Sequence, residues 1–293
     1  MRWTPSGTAP RKPQGRSRTP FAVIPNEAPA QRGTCTCALL LRTAMKSDTI
    51  TIRNCATLDE FRQCVALQRS VWGWEDEDLI PTRFFVVAHK IEGQVIGAFD
   101  PAGRMVGFCL AVPALHGPAS YLHSHMLAVL PEFRRAGIGR RLKLEQRRQA
   151  LERGIRLIEW TFDPLEWKNA VFNFNRLGAI ARRYVPNQYG VSSSPLHRGL
   201  PTDRLIAEWW LDSPRVVSCL EGKSDTSTEA GQRIALPLDV LEHPAERASS
   251  IADLQASLRA QFQQAFAKGL AAVAFEPQKD SGSYLLTDWR TTG

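Results

Sequence analysis

Long apolar runs are missing from these 293 residues. The best candidate, Cys37 to Leu41, falls far short of the ~20 residues a bilayer-spanning helix needs. No membrane partner is therefore expected. Cysteine is sparse, at positions 35, 37, 55, 64, 109 and 219. Cys35-Thr-Cys37 is the one close pair, and no second Cys or His pair follows at zinc-site spacing. No metal is expected, and the thiols read as the reduced cysteines of a cytoplasmic protein. Acidic side chains are nearly absent from residues 1–44, which hold seven basic residues and one acid, Glu27. That tail carries +6 of the net +8, leaving +2 for residues 45–293. A duplex-binding surface needs a clustered basic face and a recognisable module. The near-neutral remainder offers neither, so no nucleic-acid partner is expected.

Residues 1–44 also lack any helical or strand periodicity. They are rich in Pro, Arg, Thr and Gly and read as a disordered tail. No apolar core of a signal peptide follows the basic start. A strand-like run, Thr49-Ile50-Thr51-Ile52, comes directly after Met45, so Met45 is the expected site of translational initiation.

Order begins there. Thr49–Arg53 reads as a strand. Thr57 and Asp59 can cap a helix with Phe61, Val65 and Leu67 on its apolar face. Phe84–Lys90, Gln94–Asp100 and Met105–Val112 read as consecutive strands separated by Gly93 and by Asp100-Pro101-Ala102-Gly103. Tyr121–Val129 is a further strand. Gly139–Arg153 has the period of a surface helix, with Gly154 as its stop. A strand (Ile155–Phe162), a helix (Asn169–Leu177) and a strand (Leu205–Leu211) follow, and Trp209 and Trp210 fit the core. The polar stretch 213–232 reads as a linker. Beyond it come a short strand (Ile234–Leu236), a helix (Ile251–Lys268) and a hairpin of Leu270–Phe275 with Ser283–Trp289. The fold class is mixed α/β, with a domain at 45–212 and a C-terminal α/β extension at 233–293.

The informative segment is Arg134-Arg135-Ala136-Gly137-Ile138-Gly139, where a strand exits through a turn into a helix. The first amides of a helix have no intrahelical acceptor and lie at its positive end. A phosphate group placed there meets both donors and favourable charge. Glycine lets phosphate oxygens approach the backbone, and Arg134, Arg135, Arg140 and Arg141 add cationic grips. A Walker turn would need Lys-Ser/Thr after the second glycine, and a dinucleotide fingerprint would need a third glycine. Neither is present.

These residues resemble the GCN5-related N-acetyltransferase superfamily, whose motif is Arg/Gln-x-x-Gly-x-Gly/Ala. Leu127-Ala128-Val129-Leu130-Pro131 is similar to the family's strand exit. The similarity covers about residues 49–212. An uncharacterised branch with a C-terminal extension is closer still, through Trp160–Leu165, Asn169-Ala170 and Leu200–Arg204. The resemblance implies acetyl-CoA or another acyl-CoA as cosubstrate, direct acyl transfer to an amine acceptor, and coenzyme contacts from Leu127, Ala128, Val129, Arg134, Arg135, Ala136, Gly137, Ile138, Gly139 and Arg140. Many members carry a tyrosine four residues before the helix-closing glycine, which protonates the departing thiolate. Here that place is Phe174, which has no hydroxyl. Phe174 and Asn169 are candidate coenzyme contacts. The missing hydroxyl motivates an alternative, a non-catalytic acyl-CoA-binding module.

Acyl transfer needs a neutral amine and hence a proton acceptor. Glu159 sits between Ile158 and Trp160 on the strand after the motif helix. It is a candidate base or a carboxylate on a solvated face. Asp163 is a candidate base, a substrate anchor or a turn former. His123 and His125 share a face, as bases or structural residues. Tyr189 is a candidate proton donor or a packed ring. The acidic run Glu75–Asp78 beside Trp72 and Trp74 suits a cationic acceptor, or is a solvated loop.

Overall fold

The computed structural model describes residues 49–190, 199–223, 231–238, 241 and 248–289. The expectations for 1–44 and Met45 lie outside them. In chain order the elements are β1 (Thr51–Asn54), α1 (Leu58–Trp72), α2 (Thr82–Lys90), β2 (Gln94–Phe99), β3 (Met105–His116) and β4 (Ala119–Val129). A 3-10 turn (Pro131–Phe133) leads to α3 (Ile138–Glu152) and β5 (Leu157–Phe162). Then come α4 (Trp167–Ala170), running into a π-helical turn (Val171–Arg176), β6 (Ile180–Val185), β7 (Arg204–Trp210) and α5 (Pro214–Leu220). The extension supplies β8 (Gln232–Pro237), α6 (Ala248–Ala267), β9 (Leu270–Pro277) and β10 (Ser281–Asp288). The strands form one sheet in the order β1-β2-β3-β4-β5-β7-β6-β9-β10-β8. The extension thus completes the sheet of the preceding domain.

Local chemistry explains most boundaries. Thr57 caps α1 in a reciprocal box with Glu60, and Gly73 closes it at φ 64°. The expected strand at 84–90 is instead α2. Phe85 and Ala88, three residues apart, are buried, while Phe84, Val87 and Ile91 stay exposed. That run is apolar on both faces, so its period is hidden, and the Pro81 entry decides for helix. The expected linker at 213–232 contains α5. Ser213 caps it through Val216 N, and Pro214 fills the first turn. β6, rich in Arg and not foreseen, pairs with β7 on one side and touches β9 at Ala181↔Ala272 on the other.

The expected helix at 169–177 starts as α4 and widens, so that Leu177 N donates to Phe172 O. Such single wide turns recur at functional sites. Gly178 closes it at φ 77°, and a Cβ there would come within 3.0 Å of the Cys219 Cβ on α5. Asn175 on the π turn bonds Phe275 of β9 in both directions, at 2.7 and 3.0 Å. The Tyr284 hydroxyl donates to Pro164 O at 2.5 Å. Arg259 of α6 forks onto the buried Asp203 at 2.8 and 2.9 Å, where Tyr184 Oη and Asn187 N also converge.

All strand pairs but one are antiparallel. β4 and β5 run parallel and register at two places, Leu122↔Ile158 and His123↔Glu159, before diverging. α3, the π turn and α6 pack on one face, with Ile158, Trp160 and Phe162 of β5. Glu159 and Thr161 point to the other face.

Removing the Asp203 carboxylate leaves Arg259 and the Asn187 N–H without their acceptor. Asp203→Ala is expected to cost about 3–5 kcal/mol and lower Tm by roughly 10 °C, measured by thermal unfolding. A shift of a degree or two would show that α6 is anchored elsewhere.

Candidate functional site

Where β4 and β5 part, a cleft of about 840 Å³ opens on the α3 face. Leu127 and Val129 of β4 form its floor, the turn from Arg134 to Arg140 one end, and Phe172, Asn175 and Arg176 of the π turn a wall. Cys219, Leu220 and Gly222 roof it from α5, tied down by Arg140 Nη2 on Leu220 O at 3.0 Å. The segment expected to be a loose linker is therefore part of the cleft. A Ser-Pro helix start at 213–214 was the signal for it.

The turn has the geometry an anion requires. Arg135 at φ 71° and Gly137 at φ 72° are both left-handed, flanking Ala136. Alternation of that kind curls successive N–H groups toward one concavity. Non-glycine residues seldom adopt this backbone, so Arg135 stores strain at the site. A Cβ added to Gly137 would meet nothing within 4 Å, leaving open space where a diphosphate would sit. Arg134, Arg135, Gly137, Ile138, Gly139 and Arg140 all line the cleft. Ala128 does not: its side chain is buried on the α1–α2 side, which leaves only its backbone for a ligand. Two further expectations shift. Asn169 is exposed and off the cleft wall, because the wider turn presents Phe172, Asn175 and Arg176 there instead. Phe174 is 1% exposed and stacks edge-on with Phe162 and Tyr284.

On the opposite face lies a second cavity of about 420 Å³, lined by His116, Leu157, Glu159, Arg182, Arg183, Glu208 and Trp210. Glu159 and Glu208 are 4% and 2% exposed. Glu159 is held by the Arg183 guanidinium and by His116 Nε2 at 3.2 Å. It is thus paired and enclosed, not on a solvated face. His116 stacks on Tyr121 at 4.3 Å. The Tyr189 hydroxyl lies 3.0 Å from Thr161 Oγ1, next on that face of β5. His123 and His125 lie on β4, their rings 6.0 Å apart. Burial pushes His123 down to about 4 and lowers His125, so both are neutral at pH 7.

Asp163 accepts from Leu165 N at 2.8 Å and lies 3.8 Å from Arg204, which organises the turn after β5. Burial pushes its carboxyl up to about 6. Asp76 of the acidic run pairs with Arg69 at 2.7 Å. Among the described residues, no group of three or more metal-binding side chains occurs, and no helix is long and apolar enough to cross a membrane.

A side chain at position 137 would stand in the phosphate space and strain the backbone at once. Gly137→Val is expected to weaken acetyl-CoA binding at least tenfold by calorimetry, with about 1–2 kcal/mol lost in stability. Unchanged affinity would remove the turn from the binding site.

Residues 81–178 match the family model described as "Acetyltransferase (GNAT) domain". A search of curated proteins gave no match. Among solved structures, the ribosomal-protein-S18-alanine N-acetyltransferase of Escherichia coli is 15% identical, with 56% of this chain and 95% of that chain covered at a TM-score of 0.45. Arabidopsis thaliana NAA60, in complex with a bisubstrate analogue, is 16% identical over 55% of this chain and 98% of that one, at 0.46. Chaetomium thermophilum Naa20, also with a bisubstrate analogue, is 18% identical over 54% and 85%, at 0.45. Likenesses this distant carry no weight beside the family match, which spans α2, the Arg134–Gly139 turn and the π turn. Residues 81–178 of this chain therefore form a GNAT acetyltransferase domain, which supports transfer of an acyl group from acyl-CoA.

Proposed function

We propose that the amine acceptor docks on the face opposite the coenzyme cleft and that Glu159 accepts its proton, directly or through one water. One observation carries this reading. The His123↔Glu159 pair is the last before β4 and β5 separate, so a buried carboxylate stands beside the opening through which a thioester would meet an amine. Arg183 holds that carboxylate in place. His116, in contact with it and about half exposed (side chain 48%), gives the proton a route to solvent. The residues behave as a base with an orienting group and an exit.

Tyr189 and Thr161 share the acceptor face, so we assign their paired hydroxyls to holding the acceptor. That places Tyr189 away from the departing sulfur, in contrast to the proton-donor role considered from sequence. Asp163 keeps a positioning role at the end of β5. Backbone groups of β4 beyond His123 lack a strand partner on the β5 side among the described residues. We assign them to the pantetheine arm and the developing oxyanion, a task suited to preorganised N–H donors. The four described cysteines are free and buried, which fits the reducing cytoplasm, and the near-neutral fold fits an acceptor other than nucleic acid.

Glu159→Gln keeps the shape and removes the base. The turnover of acetyl-CoA with a reactive amine is expected to fall about 10²-fold, with coenzyme affinity retained. The measurement is a thiol-release assay across an amine panel, paired with calorimetry. Full turnover in the variant would move the base elsewhere.

A further inference from the structure

Lys143 on α3 is a charged side chain in a place without opposite charge. It is 2% exposed, and among the described residues no carboxylate pairs with it. Its Nζ donates to Ser124 Oγ at 2.8 Å and sits 3.8 Å from the centre of the Trp160 ring. Ser124 and Trp160 are the first residues of β4 and β5 past their last registered pair. The amine therefore spans the apex of the opening between the strands. It lies one helical turn beyond Gly139, which lines the coenzyme cleft.

The groups around that apex have donors to spare. Gln146 accepts from Ser124 Oγ at 3.2 Å through its Oε1, and Asn173 accepts from Trp160 Nε1 at 3.2 Å through its Oδ1. Both side chains are buried, and among the described residues neither Gln146 Nε2 nor Asn173 Nδ2 has a hydrogen-bond partner. An ammonium with one acceptor and two unfilled amides make a buried site that calls for an anion.

Acyl transfer generates one. When the thioester carbon gains its bond to nitrogen and loses its bond to sulfur, the electron pair leaves on sulfur as a thiolate. We propose that the Lys143 ammonium meets the coenzyme sulfur at this apex and protonates the thiolate as it departs. This rests on the reading above, in which the acceptor reacts across the same opening. The proton balance closes. Sulfur takes a proton from Nζ, and the neutral lysine regains one through water from the proton that the acceptor nitrogen gave to Glu159.

The surroundings suit the task. Burial lowers Lys143 from the ordinary 10.5 to about 7, so it holds its proton loosely. The titratable groups facing it are Cys109 on β3, pushed up to about 12 by burial, and His123 on β4, pushed down to about 4. Both are uncharged at pH 7, so among the described residues the only net charge at the apex is the one lysine and sulfur exchange. Ser124 and the Trp160 ring fix the amine in position.

The test uses the full chain saturated with free coenzyme A. The bound thiol is titrated by its thiolate absorbance, with the desulfo coenzyme as blank. Lys143→Met preserves volume and removes a buried charge, so its folding is not endangered. In the wild type the bound thiol is expected to titrate below the free coenzyme. In Lys143→Met the thiolate fraction at the same pH is expected to drop about tenfold, with coenzyme affinity within about threefold. Ser124→Ala, which unties the amine but keeps it, shifts the titration less and in the same direction. An unchanged titration in Lys143→Met would overturn the proposal and leave the acyl-transfer reading standing. That reading fails separately, if the wild type acetylates no amine whatever its thiol titration.

Discussion

The parting of two parallel strands after only two registered pairs governs this molecule. A parallel ladder that continued would bury its own N–H and C=O groups and leave no passage through the sheet. Because β4 stays paired with β3 along its whole length while β5 turns toward β7, the sheet holds together around the opening. One face of that opening carries the large cleft, the other the Glu159 carboxylate. Separating the two sides by one layer of backbone keeps the Lys143 amine and the Glu159 carboxylate from pairing as a salt bridge. His123, neutral and next to both, keeps a second positive charge out of the gap.

The phosphate turn depends on the same geometry at its far end. β4 delivers the chain into Pro131, and the left-handed backbone at Arg135 and Gly137 turns it so that α3 opens with its free amides facing the cleft. Strain at Arg135 is tolerable because Phe133 and Ile138 are buried on either side and hold the turn. The coenzyme would thus meet donors already in place instead of having to order them.

Much of this was legible in the residues. Gly137 and Gly139 after a strand exit, among four arginines, are a local signal whose physics is local too. The strands around Gly97, Gly107 and the Asp100–Gly103 turn were equally readable, because their apolar runs end at turn formers. α2 was not, since Phe84-Phe85-Val86-Val87-Ala88 is apolar on both faces and hides the helical period. Lys143 and Gln146 were misread for the opposite reason. Polar side chains on α3 suggest solvent, and only tertiary packing reveals that two of them point inward. His116 and Asn175 carry no local signal at all, for their partners lie 43 and 100 residues away in sequence.

The C-terminal extension ties stability to the cleft. β9 meets β6 at one residue pair, a weak seam by strand standards. The seam holds because side chains cross it: Asn175 to Phe275, Arg215 Nη2 to Val273 O at 2.5 Å, and Tyr284 to Pro164 O. Each of these reaches the π turn, α5 or the loop after β5, the segments that wall or roof the coenzyme cleft or lead into it. A wide helical turn is less favourable than an α turn on its own. It persists here because Asn175 satisfies both main-chain groups of Phe275 and would leave them bare if the turn tightened. The extension therefore fixes the shape of the cleft wall without lining the cleft itself.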